Sequence, residues 1–155
     1  MAVGKKWYVI FNIEHLVNLQ TAAEGGHLEV VERLLAANAN VNAAAANYDR
    51  RTALQAASAT GHDAVVSLLL DKGAHVDTLG AQYGSALQAA VKGGHEKVTQ
   101  TLLFRGAGAQ FEHEQWINLL HAAAAGGHTR ILRLLIDRGA LPKSNPKNRN
   151  PCWRW

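Results

Sequence analysis

An all-α solenoid of stacked helix pairs is the fold class that three observations predict for this 155-residue chain. A Gly-His dipeptide recurs at Gly26-His27, Gly61-His62, Gly94-His95 and Gly127-His128, at intervals of 35, 33 and 33 residues. An alanine-rich stretch precedes each copy and a Val/Leu-rich stretch follows it. Aromatic residues make up only 6% of the chain while 48% is hydrophobic, so alanine, leucine and valine carry the packing, as closely approaching helices require. A period near 33 held over four copies marks a repeated structural unit.

The upstream stretches begin at Leu19, Thr52, Ser85 and Asn118. Each predicts a short first helix, with Thr52 and Ser85 placed to cap the N-terminus through a hydroxyl. The glycine before each histidine ends that helix, because glycine accepts the positive φ of a tight turn. A second helix follows, in which Val65, Val66, Leu68, Leu69 and Leu70 gather towards one side and leave Ser67 and Asp71 to solvent. Gly73, Gly106 and Gly139 are positioned to stop it, and Asn38, which tolerates the left-handed region, stands in their place in the first copy. Segments such as 76–84 are too short and too rich in turn formers for another helix, and predict a hairpin-like loop between units. A two-residue insertion in the first such loop explains the period of 35: Asn42 and Thr52 are ten positions apart, Asp77 and Ser85 eight. In the last loop Glu112 and Glu114 flank His113 and read as solvated loop residues.

These units resemble ankyrin repeats, whose pattern runs Thr-Pro-Leu-His, alanines, Gly-His, a Val/Leu helix and Gly-Ala-Asp-Val-Asn. The resemblance covers residues 17–141 as four repeats, 17–49, 50–82, 83–115 and 116–141, and implies an ankyrin-repeat solenoid of helix-turn-helix units with projecting loops. The family's proline is replaced by Ala53, Ala86 and Leu119, which gives up pre-organisation at the first helical turn. Its histidine becomes Gln20, Gln55 and Gln88 and survives as His121; a glutamine amide still bridges backbone groups of adjoining loops. A single repeat cannot bury both of its faces and borrows its neighbours' surface, so the terminal repeats need covers. The N-terminal segment, residues 1–16, is the candidate cap, leading through Ile13 and Leu16 to Val17. Residues 142–155, with Pro142, Pro146, Pro151 and four bases, read as a disordered tail.

Charge narrows the function classes. The 16 Lys and Arg exceed the 12 Asp and Glu, but residues 1–138 balance, and the excess is Lys143, Lys147, Arg149 and Arg154. A sequence pI near 9.5 therefore belongs to the tail, and nucleic acid is not the expected partner of the repeats. Cys152 is the only cysteine, which excludes an intrachain disulfide and suits a cytoplasmic or nuclear location. Lys5 and Lys6 precede the apolar run Trp7 to Phe11, but Asn12 and Glu14 break it short of the roughly 7 residues that a signal sequence needs. No stretch approaches the roughly 18 apolar residues of a membrane span.

Eight histidines raise the question of a metal, yet four of them recur once per repeat at one position, as a scaffold role requires. No nucleophile elbow, phosphate-binding loop or His-Glu-x-x-His helix is present. Neither catalysis nor any cofactor or metal is expected.

The resemblance implies instead a non-catalytic module, a scaffold or adaptor for a protein partner, monomeric or part of a larger repeat protein. Arg50, Tyr83 and Trp116 stand where the family keeps glycine, 33 residues apart. With Tyr48, Arg51, Gln82, Gln115 and Ile117 they form a candidate binding ladder along the loops, rich in the residue types favoured at hot spots. The alternative of equal weight is that each ring packs on its own loop and stiffens the array. A second row ends the first helices: Glu24, Ala59, Thr60, Lys92 and Ala125, positions that in the family face the concave groove. Two further readings are a steric inhibitor of a partner enzyme, and weak, salt-sensitive attachment of the basic tail to an anionic partner.

Overall fold

The computed structural model describes residues 19–44, 50–80 and 84–140; the expected N-terminal cap (1–16) and disordered tail (142–155) lie outside this range. The described residues form helix pairs in series. Residues 19–24 are helical (α1) and pair with α2 (Leu28–Ala36); α3 (Ala53–Thr60) pairs with α4 (Asp63–Asp71), α5 (Ala86–Gly93) with α6 (Glu96–Phe104), and α7 (His113–Ala125) with α8 (Thr129–Leu135). The first helices stack as an inner layer, α3 on α5 and α5 on α7, and the second helices stack behind them, α2 on α4, α4 on α6 and α6 on α8.

The inner layer begins where side chains take over the first unpaired amides. Thr52 Oγ1 and Ser85 Oγ each accept from the amide three residues on, of Gln55 and Gln88, at 3.3 Å. The glutamine Oε1 atoms accept in return from the Thr52 and Ser85 amides, at 2.8 and 2.9 Å, completing two capping boxes. Gly61 and Gly94 close these helices in the left-handed region, at φ 84° and 74°. The layer is made of small residues: Ala22, Ala23, Ala56, Ala57, Ala89, Ala90 and Ala123 are all buried. With no bulk to separate them, α3 and α5 pack closely over Leu54 and Leu87, which are 1% and 0% exposed.

The outer helices contribute Val31, Val65, Val66, Leu69, Val98, Leu102, Ile131 and Leu135 to the same continuous core. Leu68 and Ser67 are both half-buried, so the apolar side of α4 is narrower than its sequence suggests. Asn38 turns the chain after α2 at φ 64°, and Gly73 and Gly106 do so after α4 and α6 at φ 89° and 88°. The hairpin character of the inter-unit loop shows in the second one, where the Gly80 amide donates to the Gly84 carbonyl at 2.8 Å in an antiparallel bridge.

The fourth unit departs from expectation at both ends. Helix α7 begins at His113, ahead of Trp116 where the unit was expected to start, so Glu112, His113 and Glu114 are exposed to solvent as expected but form a helix start rather than a loop. The cause is local: Gln115, three residues after Glu112, accepts from the Glu112 amide through Oε1 at 2.7 Å. Phe111 and Trp116 then meet edge to face, their centroids 5.9 Å apart. At the far end Gly139 does not stop the last helix, because α8 runs on into a π-helical turn, Ile136–Ala140. Arg138 Nη1 donates to the Leu103 carbonyl at 3.1 Å, a tie to α6 that holds this wider turn in place.

Candidate functional site

The repeated histidine sets the spacing between units. His27, His62, His95 and His128 each stand immediately before an outer helix. His62 Nε2 lies 3.0 Å from the Glu24 carbonyl oxygen and His95 Nε2 lies 2.9 Å from that of Ala59. A carbonyl only accepts, so both rings carry the proton on Nε2 and donate to the preceding unit.

Polar side chains one period apart add further ties. Asn42 donates from Nδ2 to the Gly73 carbonyl at 3.1 Å and accepts from the His75 amide at 2.7 Å. Asp77 accepts from the Gly108 amide at 2.9 Å. Thr101 donates to Asp63 at 2.8 Å, Arg105 pairs with Asp71, and Arg130 stands 3.6 Å from Glu96. The glutamines that replace the family histidine also bridge loops: Gln55 Nε2 donates to the Thr78 and Gly84 carbonyls, both at 2.8 Å, and Gln20 Nε2 to those of Ala43 and Arg51, at 3.1 and 2.7 Å. Sequence reasoning missed most of these pairs, although their signal is simple: complementary polar residues about one period apart.

The candidate ladder divides on this scaffold. Tyr48, Gln82 and Tyr83 lie outside the described residues. Arg50 is exposed and sits in the left-handed region at φ 42°, where glycine is the usual residue. Arg51 is turned inward, its side chain 16% exposed and 3.6 Å from the Glu24 carboxylate. Gln115, Trp116 and Ile117 sit in the first turns of α7 and not on a loop tip. The half-buried Trp116 ring packs on Phe111 and on Gly108, where an added Cβ would come within 3.0 Å of it. The start of α7 at His113 carries this indole into the helix.

The second row lies at the ends of the inner helices, with Ala59 half-buried. Glu24, Thr60 and Lys92 are exposed at the ends of successive inner helices, and Ala125 is exposed at the end of α7. The backbone of this row is occupied, since the Glu24 and Ala59 carbonyls receive the histidine rings of the next unit, so its variable side chains are what remain for solvent. Thr60 Oγ1 donates back to the Ala56 carbonyl at 3.0 Å. Two large apolar side chains escaped the sequence reading. Leu79, on the second inter-unit loop, is 65% exposed, and Phe104, at the end of α6, is 77% exposed. Phe104 occupies the position that the other units give to Ala36, Asp71 and Asp137, a contrast visible in the aligned repeats.

Among the described residues no group of three or more His, Cys, Asp or Glu is arranged to hold a metal ion, and no helix is long and apolar enough to cross a membrane.

The stacked helix pairs, glycine turns and interlocking histidines define a repeat-built scaffold that presents a surface. Ankyrin repeats in three copies match residues 18–80, and a further ankyrin repeat matches 117–149, together more than half of the chain. The chain belongs to the ankyrin-repeat family. Repeats of this family are generally protein–protein interaction modules. No match among curated proteins accompanies these.

Proposed function

We propose that the protein is a non-catalytic scaffold or adaptor, working inside the cell, which seats a protein partner across the exposed ends of its inner helices and the adjoining loops. The observation that carries this reading is the contrast between a uniform scaffold and a variable outer row. Ala57 and Ala90 are the same buried residue in successive units, whereas the position two residues on changes from Glu24 to Ala59 to Lys92, exposed and charged in the first and third units and half-buried in the second. A buried ladder of identical residues serves stacking; a row that varies in charge and polarity serves recognition.

Arg50 and Leu79 extend this surface onto the loops as a guanidinium and an exposed apolar side chain. Tyr48, Gln82 and Tyr83 belong to the same proposed contact by their place in the repeat. Because the scaffold is tied between units by side-chain hydrogen bonds, the surface is pre-formed, and binding does not have to pay for ordering it.

Reversing the charge of Lys92 (Lys92→Glu) together with Arg50→Ala tests the reading. Both residues are exposed, so the melting transition is expected to stay within about 0.5 kcal/mol of the parent in stability. Proteins retained from a native extract by the parent are expected to be lost by the double variant. An identical retained set, with the fold intact, would remove this face from consideration.

A further inference from the structure

The four units repeat the same residues but not the same burial. Val65, Val98 and Ile131 occupy one register position of the outer helix and are each 1% exposed, whereas Val30, the same position in the first unit, is 47% exposed. One turn on, Leu69, Leu102 and Leu135 are 0% exposed, and Leu34 is only half-buried. The chemistry at these positions is constant, so the difference comes from what lies on the N-terminal side. Val65 has the first unit stacked there. Val30 has no described residue on that side, and an open groove of about 610 Å³ remains, lined by Ala22, Glu24, Gly25, His27, Val30 and Leu34.

We propose that residues 7–17 of this chain fold back into the groove and take the place of a preceding repeat. Three features of the chain favour this occupant. The segment carries the apolar run Trp7, Tyr8, Val9, Ile10 and Phe11 and then Ile13, Leu16 and Val17, which complements a groove built on Ala22, Val30 and Leu34. It also has the reach. The nine residues of α2 extend about 14 Å, while eleven residues span about 16 Å as helix and about 36 Å extended. Finally, Asn18 joins it directly to α1, one wall of the groove, so its effective concentration at the site is on the order of millimolar and exceeds that of a second copy in dilute solution. Lys5 and Lys6 at the head of the run would then approach the rim, where the Glu24 side chain is 48% exposed.

Seating this segment closes the solenoid at its N-terminal end and confines partner binding to the side of the stack. A terminal face left open would instead invite end-to-end association, which has no closing symmetry.

Limited chymotrypsin digestion of the full chain, read by mass spectrometry, tests the proposal, because Trp7, Tyr8 and Phe11 are cleavage sites inside the segment. Val30→Glu places a carboxylate in the groove at a position already open to solvent, which leaves the other units intact. Cleavage after Tyr8 and Phe11 is expected to be roughly ten-fold faster in this variant than in the parent, in proportion to the opened population. Val30→Ser is expected to shift it in the same direction by less. Equal cleavage rates in the parent and both variants would overturn the proposal. So would a parent that sediments as a dimer and becomes monomeric on Val30→Glu, since the occupant would then be a second copy.

Discussion

The imidazole of His95 lies across Gly61 of the preceding unit, so close that a Cβ at Gly61 would stand 2.4 Å from Nδ1. The same ring donates from Nε2 to the Ala59 carbonyl. One side chain thus sets both the distance and the register between neighbouring repeats.

Gly61→Ala is therefore expected to destabilise the protein through two effects, backbone strain at φ 84° and collision with the His95 ring. Gly73→Ala is the control: its φ is 89°, but nothing lies within 4 Å of the added Cβ. Strain alone should cost about 1 kcal/mol at Gly73, and Gly61→Ala should cost roughly 1 to 2 kcal/mol more in urea denaturation. Equal losses at the two sites would show that the ring yields without penalty.

Gln55 is 1% exposed and satisfies three backbone groups, the Thr52 amide and the Thr78 and Gly84 carbonyls. Gln55→Leu keeps the bulk but orphans the Thr52 amide and the Thr78 carbonyl, while the Gly84 carbonyl keeps the Gly80 amide, and a loss of roughly 2 kcal/mol is expected. Gln55→Glu, which can accept but not donate while ionised, should be destabilising as well. A variant within 0.5 kcal/mol of the parent, about the scatter of neutral surface changes, would mean that the loops find water instead.

Ser58 Oγ is buried without a hydrogen-bond partner, in a residue that is 0% exposed. The same position in the next unit is Val91, also fully buried. Ser58→Ala removes an unsatisfied hydroxyl and creates little space, so stability should hold or rise by up to about 1 kcal/mol. A clear loss in calorimetry would indicate that the hydroxyl has a partner such as water.

Arg50 holds φ 42° without the freedom of glycine. Arg50→Gly should leave stability unchanged or raise it by up to about 1 kcal/mol, the relief of strain being partly offset by a freer unfolded chain. The same change removes the guanidinium from the proposed binding surface. Weaker partner retention at undiminished stability would separate recognition from folding at this residue.

Local features were readable from residue types alone. The Thr52 and Ser85 caps, the αL turn at Asn38 and the bridging glutamines each depend on atoms within a few residues or on a loop at fixed offset. The Trp116 position was not readable in this way. Its place in a ladder assumed that every unit begins at the same offset, and a glutamine three residues after Glu112 moved the helix start. Of the proposed surface, Glu24 and Lys92 followed from the repeat alignment and Thr60 from its place beside Ala59 at the end of α3, while the inward turn of Arg51 depended on an ion pair with another unit.

The sequence by itself determined the repeat, its helix ends and its turns, because capping, glycine conformations and apolar periodicity act over a handful of residues. Tertiary structure alone decided which copies of one residue are buried. Val30 and Val65 are the same side chain in the same local setting, 47% and 1% exposed, because burial in a solenoid is conferred by the neighbouring repeat.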